Sequence, residues 1–295
     1  MGKFAKASTQ ASSVIKALQK NGSIRSLGTA RGYENALTRV AEYAKAERIQ
    51  GGLRGMSPEQ VQSYLEQRAE IVGQKQLDME RQAAQTMLQK LTNKLEPHQR
   101  LAVIKSSHEQ ILSSRSYTRE QVELVAQSQN VKNSLSTQIA HAAGLRSHEL
   151  LTLRKIEERP ASNRPALPTK FQGREGESYT VQGKGGLVRE VRIPTNLAHK
   201  LESQRLDTPI KVTDRTIHYT QYYNINAGQK WANSFSQASS RALGWTAGAH
   251  GLRHSYAQER MHELQSNGLS RLDALTTVSQ ELGHFRPEIT EVYLR

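Results

Sequence analysis

Two short stretches fix helix starts more firmly than anything else in the chain: Ser57-Pro58-Glu59-Gln60 and Thr118-Arg119-Glu120-Gln121. In each, an N-cap hydroxyl can accept the backbone N–H three residues on, while the Gln at that position reaches back to the N-cap N–H. Pro58 suits the first helical position, where an N–H would have no partner anyway. Met56 with Val61, and Tyr117 with Val122, are spaced to staple the entering chain to each helix. Any fold of this chain must therefore carry a helix from about 58 and another from about 118.

Around the first start, apolar residues recur at helical spacing. Val14, Ile15 and Leu18 predict a helix over 8–20. Tyr33, Leu37, Val40 and Ala44, with Thr29 as N-cap, predict one over 29–45. Val61, Tyr64 and Leu65 give the helix from Pro58 its apolar face, and Met79, Ala83, Met87 and Leu91 predict another over 76–91. Residues 1–95 thus read as a small helical bundle. Pro97 and the serines 106, 107, 113, 114 and 116 place a linker over 96–116, with Leu101–Ile104 as a possible short helix within it.

The second domain, 117–295, begins at the second capping box. Helices are expected over 118–128 and 131–143. Gly144 ends the latter, and Ser147 caps the next, which carries Glu149, Leu150, Leu151 and Leu153. Pro160, Pro165 and Pro168 mark 159–177 as a loop or insertion. Residues 178–182 and 187–193 read as two strands joined by the Gly183–Gly186 turn. Helices then follow over 195–205, 229–243, 251–265 and from Ser270 to Gly283, with a last short one opened by Pro287. Of Tyr219, Tyr222 and Tyr223, two are expected in the core; contact with DNA is the other use for such rings. The expected fold class is mainly α with a small β-hairpin, α+β.

Composition narrows the partner. The net charge is +14, which favours a polyanion, nucleic acid first and an acidic membrane surface second. Residues 1–33 hold six Lys or Arg and no acid, fit either to lie along phosphates or to stay a solvated tail. There is no cysteine, hence no disulfide, thiolate metal site or Cys nucleophile, in keeping with a reducing compartment. No run of about eighteen apolar residues is present to span a membrane. Lys3 and Lys6 are not followed by the apolar stretch of a secretory signal. The expected location is cytoplasmic.

The chemistry-bearing residues lie in the second domain. His250-Gly251-Leu252-Arg253 puts a His and an Arg on one helical face. Leu282-Gly283-His284 places a His past a helix end, and Tyr293 follows. Upstream stand Arg146, with Glu149 a turn later, and Lys184 in the Gly-rich turn. Taken singly, each has a plain structural reading: surface cations, a cap, a packing ring. Together they are cations, proton carriers and one hydroxyl nucleophile, without metal-ligand spacing, and such a set suits attack on a phosphodiester. Arg146 and Arg253 are assigned to clamp the phosphate, because guanidinium binds phosphate oxygens bidentately and stays charged.

In order and type, Arg146, Lys184, His250, Arg253, His284 and Tyr293 resemble the catalytic set of the tyrosine recombinase (phage integrase) family, in its compact two-domain form like Xer-type recombinases and mobile-element integrases. The match covers 117–295, and the basic bundle before it resembles the family's SAM-like core-binding domain. The resemblance implies that Tyr293 forms a 3′-phosphotyrosine link, Lys184 protonates the leaving 5′-oxygen and His250 serves Tyr293 as general acid/base. It also implies that His284 donates to a phosphate oxygen and that Glu149 orients Arg146. Neither metal nor cofactor is implied. The implied partners are double-stranded DNA, further copies of the chain as a tetramer on two DNA sites, and an accessory DNA-bending or directionality protein; no membrane is involved. The 159–177 insertion and the stretch from Arg253 to His284 are longer than in compact members. Only Leu294 and Arg295 follow Tyr293, where many members continue with a segment that docks on a neighbour, so coupling of that kind is not expected. A type IB topoisomerase-like relaxing enzyme and a non-catalytic architectural DNA-binding protein are the alternatives.

Overall fold

The Ser57 hydroxyl accepts the Gln60 N–H at 3.3 Å, and Gln60 Oε1 accepts the Ser57 N–H at 2.9 Å. The Thr118 box closes in the same way with Gln121, at 3.3 and 2.9 Å. Both boxes open helices in the computed structural model of the protein, which describes residues 5–109 and 113–295 and, at Lys184, the backbone alone. Lys3 of the basic N-terminal stretch, residues 110–112 of the expected linker and the Lys184 side chain lie outside the described residues. The chain forms two compact units, Met1–Ile111 and Leu112–Arg295.

In the first unit, α1 (Ala7–Lys20), α2 (Leu27–Ala46), α3 (Pro58–Ala69) and α4 (Gln74–Lys90) enclose a core that includes Leu18, Leu37, Val40, Leu65 and Met87. Three details differ from the sequence reading. Helix α2 starts earlier, because Ser26, not Thr29, is its N-cap and accepts the Thr29 N–H. Helix α4 turns Met79 outward, 40% exposed, and buries Glu80 completely. The burial is tolerated because Glu80 accepts from Tyr64 Oη (2.7 Å), Arg68 Nε and Nη2 (both 3.0 Å) and Gln76 Nε2 (3.0 Å). Finally, Leu101–Ile104 is not helical. The Leu101 N–H goes to Gln85 Oε1 (3.1 Å), and the Leu101 side chain enters the first unit's core. Ser106 is tied back through its N–H to Gln74 Oε1 (2.9 Å) and its hydroxyl to the Val72 carbonyl (2.7 Å). The stretch from Glu96, expected as linker, therefore packs on the first unit at least as far as Ser107.

The second unit is helical around two small antiparallel sheets. Its elements are α5 (Arg119–Gln127), α6 (Val131–Ala142), β1 (Arg154–Lys155), β2 (Glu177–Gln182), β3 (Val188–Ile193), α7 (Thr195–Glu202), β4 (Arg205–Asp214), β5 (Ile217–Tyr223), α8 (Gly228–Leu243), α9 (Gly251–Ser266), α10 (Arg271–Glu281) and α11 (Pro287–Glu291). The three-stranded sheet runs β1-β2-β3, with Val181 opposite Arg189 and Tyr179 opposite Val191. The α+β class expected from the sequence is the observed one.

Here too the structure departs locally. The helix expected after Ser147 is a single 3-10 turn, Glu149–Thr152, which Leu153 leaves in extended conformation to enter β1. Helix α7 stops at Glu202, and residues 205–223 form a β4–β5 hairpin that the sequence did not suggest. Tyr223 is buried and Tyr222 packs partly buried against the same core, while Tyr219 is half-buried. The insertion 159–177 is mostly turns held on the last helices. The Leu167 N–H goes to Gln280 Oε1 (2.9 Å), the Phe171 N–H to Glu281 Oε1 (2.9 Å), and Arg260 Nη2 to the Gln172 carbonyl (2.8 Å). Among the described residues no helix is long and apolar enough to cross a membrane.

Candidate active site

Helix α6 ends at Ala142, and the turn through Gly144 delivers Arg146. Its backbone N–H goes to Glu149 Oε2 and its Nη1 to Glu149 Oε1, each at 2.8 Å. Glu149, at the start of the 3-10 turn, is fully buried. Burial works to raise its carboxyl pKa, but the charges of Arg189, Arg253 and Arg146 outweigh that and hold it well below the usual carboxylate range.

Helix α9 supplies His250 at its N-cap and Arg253 one turn in. That first turn lies hard against 115–117: a Cβ at Gly251 would come 2.4 Å from the Arg115 carbonyl oxygen. Arg253 has 0% exposure. Its guanidinium donates to the Gly144 and Leu282 carbonyls and lies 3.9 Å from Glu149 Oε2. So the loop after α6 and the end of α10 both fix the same side chain.

Gly283, at φ +72, ends α10 in a conformation that favours glycine. The next residue, His284, sets Nε2 between Arg146 Nη2 (3.3 Å) and Arg253 Nη2 (3.1 Å), with Nδ1 2.9 Å from Thr290 Oγ1. A guanidinium can only donate, so Nε2 accepts and the ring proton sits on Nδ1, toward Thr290. Tyr293, 9% exposed, follows α11. Its ring centroid is 4.7 Å from that of His254, 5.1 Å from His284 and 5.4 Å from His250, and Arg253 lies 5.6 Å over its face. Gln258 Nε2 holds the Tyr293 carbonyl at 3.2 Å.

The three imidazoles are kept neutral. Burial, then the charges of Arg253 and Arg146, bring His284 to about 3. Burial, followed by Arg253, His254, Arg115 and Arg146, brings His250 to about 4. His254 is also brought to about 4, by burial and Arg115, with the Tyr293 backbone acting the other way. The site therefore holds two oriented arginines, neutral rings around a phenol, and more positive charge than Glu149 balances, an arrangement suited to an anion.

Arg146, Glu149, His250, Arg253, His284 and Tyr293, singled out in the sequence, thus meet in one cluster. Lys184 has its backbone in the turn between β2 and β3. Three further residues escaped the sequence reading. Arg189 joins Glu149 at 2.8 Å. His254 lies closest to the Tyr293 ring of the three imidazoles. Glu281, buried, accepts from Tyr256 Oη (2.8 Å), from Arg260 and from the insertion. Arg189 did leave a signal: it shares the inward face of β3 with Val191 and Ile193, where an arginine needs a buried partner.

Compared by sequence, the chain matches no family model and no curated protein. Compared by structure, it has the tyrosine recombinase fold. The XerH site-specific recombinase bound to difH substrate superposes with a TM-score of 0.59 at 18% identity, over 98% of this chain and 81% of that one. The Tn1549 transposon integrase in complex with transposon right end DNA gives 0.58 at 13%, over 97% and 94%. A lambda integrase tetramer bound to a Holliday junction gives 0.59 at 13%, over 95% and 74%. At these identities the likeness is one of fold.

Proposed function

We propose that the chain is a site-specific DNA recombinase of the tyrosine type, serving a mobile element or plasmid. One observation carries the reading: residues scattered from 146 to 293 gather two oriented arginines and three imidazoles around a single tyrosine. Tyr293 Oη attacks the phosphorus of a DNA strand, the P–O5′ bond breaks, and a 3′-phosphotyrosine bond forms. His250 takes the phenol proton and Lys184 gives one to the leaving 5′-oxygen. Rejoining to another 5′-hydroxyl reverses these steps, so the bond energy is kept and no nucleotide cofactor is consumed.

Arg146 and Arg253 bind the non-bridging oxygens, held in aim by Glu149. His284 acts as donor once the phosphate has arrived. The anion draws away the guanidinium N–H groups that Nε2 now accepts, and its charge raises the affinity of that nitrogen for a proton. Two duplexes would be joined by four copies of the chain, with an accessory DNA-bending or directionality protein setting the outcome. The basic first unit adds phosphate contacts.

The test is a pool of random-sequence duplexes, each nicked so that the cleaved 5′-end diffuses away, incubated with the full chain and resolved in denaturant. The reading predicts a protein–DNA adduct, formed equally in EDTA, from which the preferred duplex is sequenced. Cleavage without an adduct, restored by Mg²⁺ after EDTA, would instead indicate a metal-dependent nuclease. Relaxation of supercoiled DNA by lone copies would indicate a topoisomerase.

A further inference from the structure

Arg189 leaves β3 on its inward face and passes beneath the turn that ends α10. The passage exists because residue 283 is glycine: a Cβ there would lie 2.8 Å from Arg189 Cδ. The side chain is 4% exposed; both terminal nitrogens are engaged, and the buried Nε has no hydrogen-bond partner among the described residues. Nη1 donates to the Glu281 carbonyl at 2.7 Å, and Nη2 to the Gly144 carbonyl at 3.3 Å and to Glu149 Oε2 at 2.8 Å. Gly144 and Glu149 are the same two residues that hold Arg253 and Arg146.

One buried carboxylate therefore faces three guanidinium groups, a net of two positive charges. Arg146 is the most exposed of them, at 26%, against 4% for Arg189 and 0% for Arg253. Without Arg189, the charge of Glu149 would fall on Arg146 and Arg253 alone and would draw them inward, and the field offered to a phosphate would drop by one unit.

We propose that Arg189 is a positioning residue of the phosphodiester site: it takes up the charge of Glu149, leaving Arg146 and Arg253 free to spend theirs on the phosphate. This rests on the function proposed above, and it predicts an effect on the chemical step more than on binding. DNA affinity is set by many phosphate contacts, whereas orientation of the two arginines matters at the scissile one.

The experiment uses the full chain and the duplex recovered from the pool. Arg189→Met should slow adduct formation about 10- to 100-fold, the usual cost of removing a group that orients a ligand-binding residue, with DNA affinity within about threefold. Glu149→Gln/Arg189→Met removes the stranded carboxylate together with its partner and should cleave faster than Arg189→Met alone, a coupling that independent structural losses would not give. A second arm needs no DNA. The groups facing His284 are Arg146, Arg253, Arg189, Glu149, Thr290 and the Tyr293 ring. Its imidazole, followed by NMR in the free chain, should titrate higher in Arg189→Met and as in wild type in Arg189→Lys. A wild-type chain that forms no adduct would sink the recombinase reading, while the His284 titration would still judge the charge role. Wild-type cleavage by Arg189→Met, a double variant slower than the single, or an unmoved His284 would each overturn the proposal. If the single variant does not fold, a folded and cleaving double variant supports it, and an equally unfolded one overturns it.

Discussion

Glu80 in the first unit and Glu149 in the second are both fully buried carboxylates beside arginines, but they are surrounded differently. Glu80 is satisfied by one close guanidinium, Arg68, with neutral help from Tyr64 and Gln76; Arg39 stands off at 4.0 Å. Its charge is matched and the cluster is closed. Glu149 has three guanidinium groups and, among the described residues, no neutral side-chain donor, with neutral imidazoles beyond them. That imbalance costs stability unless an anion arrives, and it is what the proposed phosphodiester site requires. A buried ion pair alone is weak evidence of function; an unbalanced one beside rings of shifted pKa is stronger.

The comparison can be broken in three ways. The largest expected effect is structural. Glu80→Ala should destabilise the first unit by about 3–5 kcal/mol, since it strands Arg68 and the Tyr64 hydroxyl. It should leave the second unit's unfolding unchanged, which peptide-level hydrogen exchange on the full chain will read. Equal loss of protection in both units would mean that Glu80 is not a local device.

Next come the arginines of the unbalanced cluster. Arg146→Ala and Arg253→Ala should each slow adduct formation by about a hundredfold or more, the usual 3–4 kcal/mol for a preorganised charge-stabilising donor. Lys at either position should rescue poorly, because the fork is lost. The partly exposed Arg146 should show this with little loss of stability; the buried Arg253 should lose both. A rate within threefold of wild type would remove that residue from the site.

The smallest effect is on pH dependence. His250 and His254, at about 4, and His284, at about 3, sit below their ordinary 6.5. Between these values the unfolded chain binds more protons than the folded one, so stability present above 6.5 is lost as the pH falls toward 4. The second unit should therefore soften over that window, while the Glu80 cluster, whose carboxyl is held low, should yield only below the ordinary carboxylate range. Hydrogen exchange from pH 7 to 5 will separate the two; parallel loss in both units would contradict the assignment.

Much of this was legible in the sequence, for reasons particular to each element. The boxes at Ser57 and Thr118 were readable because capping is local, needing only four residues in order. That Arg146, Glu149, His250, Arg253, His284 and Tyr293 would meet was readable because Arg, His and Tyr in that order are chemically distinctive. The β4–β5 hairpin was not. Pro209 interrupts it, and β4 is exposed along most of its length, so no apolar alternation announces it. Met79 and Glu80 exchanged places because a hydrogen-bond network formed by Tyr64, Arg68 and Gln76 outweighs the preference of a thioether for the interior. Arg189 left only the signal of an arginine on the inward face of β3; its partners Glu149 and Gly144 lie 40 and 45 residues away in sequence.

The central claim is that Tyr293 is the nucleophile, and one substitution isolates it. Tyr293→Phe keeps the ring among His250, His254 and His284 and removes only the oxygen. On the nicked duplex recovered from the pool, the variant should bind with wild-type affinity and give no adduct in denaturant. A Tyr293→Phe chain that forms the adduct in normal yield would contradict the account at its root.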